Sequence, residues 1–128
     1  MNVDLDAQYT DEIGHMLTKV APADYPAGDL GGAHRRGEVS FLTLSDETGL
    51  RAVVAYTIVK IAGRTELRVV GLSAARAPFL IRTAFASLEN MLAGGGRIVA
   101  DIETDGMARL VERLGMRLRA LTYVKDVA

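Results

Sequence analysis

The sequence has no cysteine and only three prolines in 128 residues. Without cysteine there is no disulfide framework, no thiolate metal site and no cysteine nucleophile. Long hydrophobic runs are also missing. The longest, Ala52 to Val59, is broken by Thr57 and ends at Lys60, far short of the ~20 residues that span a bilayer. No strong charge of either sign is present, since 15 Lys and Arg face 16 Asp and Glu for a net charge of −1. The half from 65 to 128 is only mildly basic, and a dedicated nucleic-acid binder should carry a basic stripe. Residues 1–30 hold one Lys against six acids, which is unlike a signal peptide. The expectation is a cytoplasmic protein with no membrane segment and no nucleic-acid partner.

Two histidines, His15 and His34, are the whole supply. Neither has a second ligand at metal spacing, so no metal is expected. The sequence has no Gly-x-Ser-x-Gly elbow and no Walker loop. Internal repeats and low-complexity segments are absent too.

What is present is enough for one domain. At this length folding buries roughly two-thirds of the unfolded chain's surface, and 49% of the residues are hydrophobic. Residues 1–5 read as a short strand. Ile13, Met16, Leu17 and Val20 fall at helical spacing after Thr10 and two acids, which suit a first turn. Residues 21–37, "APADYPAGDLGGAHRRG", read as a long loop with at most a short helix. Three β-prone runs follow, 38–45, 50–61 and 65–72, separated by "DETG" and "AGR". They predict an antiparallel meander. In the third run Leu67 and Val69 lie on one face, with Glu66, Arg68 and Val70 on the other.

Residues 78–93 read as a helix, with Ile81, Phe85, Leu88 and Leu92 on one face and Pro78 at its first position. "GGG" at 94–96 stops it. The buried-looking run 97–102 should then pair in parallel with the third meander strand, through a β-α-β crossover. Met107, Leu110, Val111 and Leu114 define a second helix, capped by Thr104 or Asp105 and ended by Gly115. Met116 to Val124 reads as a last strand.

This order of elements, with "LVERLGM" at Leu110 to Met116, resembles the GNAT superfamily of acyl-CoA-dependent N-acyltransferases. The order covers nearly the whole chain, while the motif is short. The resemblance implies an α/β (α+β) fold over residues 1–128. Its core would be a mixed, largely antiparallel sheet of about six strands flanked by helices. It further implies acetyl-CoA or another acyl-CoA as cofactor and a small-molecule or peptide amine as acceptor. The alternative is a non-catalytic GNAT-fold protein used for binding or assembly. Family members usually add a strand beyond the one ending near Val124, so an open edge and a homodimer are expected here.

The resemblance also assigns residues. Val70, Gly71 and Leu72 would face the pantetheine arm and polarise the thioester carbonyl. Ser73, Ala75, Arg76, Ala77 and Phe79 would offer amides and charge to the pyrophosphate, as helix N-termini do for anions. The family's loop pattern is Gln or Arg, two residues, Gly, one residue, then Gly or Ala. Arg76 fits its start, but Phe79 and Ile81 stand at the small positions. A second register puts Ala75 and Ala77 there and Leu72 at the start. Pro78 contributes no N–H in either.

Glu66 matches the place of a glutamate base in some histone-modifying members, and its other reading is an exposed carboxylate beside a turn. Glu103 is a second possible base, or else a helix N-terminal acid. Tyr123 is a possible acid on the last strand, or else a sheet tyrosine. The family's usual tyrosine and asparagine correspond to Val111 and Thr104.

Overall fold

The computed structural model describes residues 1–18, 30–74, 78–102 and 105–119, with Lys125 and Val127. Its elements are β1 (Asn2–Asp4), α1 (Asp11–Thr18), α2 (Leu30–Arg35), β2 (Ser40–Asp46), β3 (Gly49–Ile61), β4 (Arg64–Ala74), α3 (Pro78–Met91), β5 (Arg97–Ala100) and α4 (Asp105–Arg113). The strands form one sheet in chain order. β1 to β4 pair antiparallel, and β5 joins β4 in parallel. Hairpin turns suffice for the antiparallel pairs, whereas the parallel pair needs α3 as a crossover.

Alternation along the strands builds two cores. Leu42 and Leu44 of β2, Ala52 and Val54 of β3, and Leu67 of β4 face α3 and α4. There they meet Leu80, Ala84, Phe85, Leu88 and Val111. Phe41, Val53 and Ala55 face the other way, toward Ile13 and Leu17 of α1 and Leu30 and Ala33 of α2. Each layer of helices therefore has its own apolar stripe. Local chemistry fixes the ends. Thr10 Oγ1 accepts the Ile13 amide at 3.2 Å, capping α1 as its sequence suggests. α4 closes in a Schellman arrangement, with the Met116 amide donating to the Val111 carbonyl at 3.1 Å and the Gly115 amide to Glu112 at 3.0 Å.

One expectation needs correcting. Residues 116–119 do not form a strand, and residues 120–124 lie outside the described residues. Met116 packs into the α3/α4 core, while Arg119 donates to Glu66. That side-chain tie takes the place of a ladder over the described part of the run. The sheet among the described residues thus has five strands.

Candidate active site

β4 outruns its neighbour. The β4–β5 pairing covers Glu66↔Arg97, Leu67↔Ile98, Arg68↔Val99 and Val69↔Ala100, but β4 continues to Ala74. From Val70 to Ala74 its β5-facing backbone has no strand partner among the described residues. On its other side β4 stays paired with β3 as far as Ala74.

The parting coincides with a β-bulge. Tyr56 pairs with Val69 and Ala55 with Gly71, which leaves Val70 opposite no residue. Bulges bend a strand and interrupt its pairing. Val70 packs on the α1/α2 side. Gly71 faces the same side, since a Cβ there would meet Leu17 Cδ2 at 3.3 Å and Ala55 Cβ at 3.7 Å. A glycine therefore lets α1 lie close over the bulge. Leu72 and Ala74 return to the α3/α4 side. Val70, Gly71, Leu72 and Ser73 are all partly buried around this opening.

At the far end of the fork α3 begins with Pro78, which offers no amide hydrogen. Phe79 stands 52% exposed in its first turn, outside the core. Arg82 is exposed one turn along. Ala75, Arg76 and Ala77 lie outside the described residues, as do Glu103, Thr104 and Tyr123. Val111, at the place of the family's tyrosine, is a buried member of the α3/α4 core.

Glu66 is the sequence-assigned base that lies among the described residues. Its side chain is 7% exposed, so it is not an exposed turn carboxylate. Arg68 donates to Oε2 from Nε at 3.3 Å and from Nη2 at 3.1 Å. Arg119 Nη1 donates to Oε1 at 3.0 Å, and Arg97 Nη1 stands 3.7 Å from that oxygen. Burial pushes the carboxyl's pKa up, but the hydrogen bonds and charges of Arg68 and Arg119 outweigh it and hold the pKa below 4.5. A carboxylate held this way is a poor proton acceptor near neutral pH.

The sign of the pH effect follows. A depressed folded-state pKa adds stability above the unfolded value and loses it as pH falls through the folded value. The unfolding free energy should therefore drop as pH falls below about 4.5, and the drop should be shallower in Glu66→Gln. Chemical denaturation at a series of pH values checks this. Identical profiles for the two proteins would refute it.

The sequence carried no signal for the bulge. Nor did it show that Glu66 and Arg119, 53 positions apart, meet. Among the described residues there is no group of three or more His, Asp or Glu able to hold a metal. No described helix is long and apolar enough to cross a membrane.

No family profile and no curated protein matches the sequence. Solved structures do match over the whole chain. A ribosomal-protein-alanine N-acetyltransferase from Brucella melitensis biovar Abortus 2308 superposes with a TM-score of 0.76 at 13% identity, covering 99% of this chain and 100% of that one. A possible acetyltransferase from Clostridium difficile 630 gives 0.74 at 11%, covering 99% and 97%. An aminoglycoside acetyltransferase from an uncultured soil metagenomic sample gives 0.72 at 18%, covering all of both chains. The chain has the GNAT fold: a mixed, mostly antiparallel sheet between two helical layers, with β4 running on beyond the end of its pairing with β5.

Proposed function

We propose that this chain binds an acyl-CoA in the fork between β4 and β5 and passes the acyl group to an amine of a small molecule or peptide. The observation that carries the reading is the bulged stretch Val70–Ala74, whose β5-facing edge has no strand partner among the described residues. Backbone donors and acceptors along that edge suit the amides of a pantetheine arm, which would add to the strand much as a peptide does in β-augmentation. Acyl-CoA would supply the activated thioester carbonyl. Val70, Gly71 and Leu72 would orient that group through their backbone, and Gly71 keeps α1 close behind them. At the pyrophosphate end Arg82 offers charge, and Pro78 leaves the helix one donor short. Because Glu66 is engaged by arginines, we assign proton acceptance to Glu103, with Tyr123 as proton donor.

Thermal unfolding during titration with CoA and acetyl-CoA tests the binding. Ligand at 100 times its dissociation constant should stabilise by about 2.7 kcal/mol, raising Tm by roughly 5–15 °C for a chain of this size. An unchanged Tm at millimolar CoA would falsify the reading. Val111, a buried apolar residue where the family's tyrosine would stand, favours a second one, binding without transfer. A Tm shift with no thiol release in the presence of amines would select it.

A further inference from the structure

The cluster at the closed end of the fork holds more positive charge than its own carboxylate needs. Arg68, Arg97 and Arg119 surround Glu66, a surplus of two charges among the described residues. Arg68 and Arg119 already satisfy both carboxylate oxygens. Arg97, at 3.7 Å, is an ion-pair neighbour but makes no hydrogen bond to Glu66. Holding a third guanidinium beside two others costs repulsion that one carboxylate cannot cancel. An incoming anion would cancel it. The exposures point the same way: Glu66 is 7% exposed, and the side chains of Arg68, Arg97 and Arg119 are 45%, 39% and 50% exposed. The carboxylate is a buried floor, and the guanidinium groups form a solvent-facing rim.

The position of this rim gives it a use. Glu66 alternates with Leu67, which faces α3 and α4, so Glu66 and its register partner Arg97 lie on the opposite face. Three register steps, from Glu66 to Val69, separate it from the point where the strands part. At ~3.3 Å per residue that is about 10 Å. We infer that Arg97 and Arg119 form a carboxylate-recognition site for the acceptor. The acceptor they fit is an acidic peptide whose amine reaches the fork while a carboxylate some 10 Å away (about three extended residues) sits on the rim. Arg suits this role, because its planar fork of donors matches a carboxylate.

Only the amine's destination rests on the acyl-CoA reading; the carboxylate site does not. The test is calorimetric titration at low salt, without CoA. One peptide has a free N-terminal amine and glutamate at its fourth position, and the other has glutamine there. The intact protein should bind the acidic peptide at least tenfold more tightly, and the difference should shrink with added salt. Arg97→Gln should erase most of that preference. Arg36→Gln, which alters a separate pair with Glu38, should keep it. Glu66→Gln removes the floor's charge and should tighten acidic-peptide binding, which a purely structural cluster would not do. Equal affinities for the two peptides, or an undiminished preference in folded Arg97→Gln, overturns the inference. A failed CoA shift alongside intact discrimination would remove the transfer reading and leave this site standing.

Discussion

Truncating Phe41 to alanine should lower the unfolding free energy by about 3–5 kcal/mol, the range for a large buried aromatic. Phe41 is fully buried near the start of β2. Its ring lies 5.9 Å from that of Tyr9 and 5.2 Å from that of His34, onto which it stacks. It also packs among Ile13, Leu17, Leu30 and Ala33. One side chain therefore joins the segment before α1, both helices of that layer and the sheet. Total stabilities run to ~5–15 kcal/mol, so the loss could exceed half of it. Urea melts would show it as a lower midpoint, with Phe41→Leu falling between. A loss under about 1.5 kcal/mol would mean that the α1/α2 layer does not depend on this ring.

Gly96→Val should cost about 1–3 kcal/mol or more, through two effects at once. The residue sits at φ 152°, where a β-branched side chain is strained. An added Cβ would also lie 3.0 Å from the Thr65 carbonyl oxygen and 3.2 Å from Leu92 Cδ2. The carbonyl belongs to β4 and cannot swing aside. Gly96 directly precedes Arg97, so the strain would fall on the start of the β4–β5 pairing. Gly94→Ala is the control, because a Cβ there meets nothing within 4 Å. Thermal unfolding of the two variants should separate them clearly, and equal melting temperatures would defeat the argument.

The five described strands and helices α1, α3 and α4 could be read in advance because period carries that information, whereas α2 lies in a run that read as a long loop with at most a short helix. Leu67 and Val69 against Glu66 and Arg68 gave the facing of β4 before any coordinates. Thr10 and Gly115 marked helix ends by local hydrogen bonding alone. What was not legible is tertiary. "VVGL" looks like ordinary alternation, and only its pairing with Ala55 and Tyr56 reveals an extra residue. Met116 to Arg119 alternates like a strand, yet Arg119 is committed to Glu66 instead. Glu66 read as either a base or an exposed carboxylate, and not as an arginine-bound group, because its partners are one strand neighbour, one residue across the ladder and one far along the chain. Propensity is silent about such meetings.

The bulge at Val70 has one more consequence. On one side of it Val69 points to the α3/α4 core, and on the other so does Leu72. Remove Val70 on paper and the remaining residues, Val69, Gly71 and Leu72, fall into regular alternation with no face changed. Val70 is thus an inserted beat that leaves the phase of the strand intact. Val70 itself adds a side chain to the α1/α2 core, and as an extra residue it bends the strand and interrupts its pairing. One inserted residue therefore links the place where β5 stops pairing to the α1/α2 core while its neighbours keep their faces.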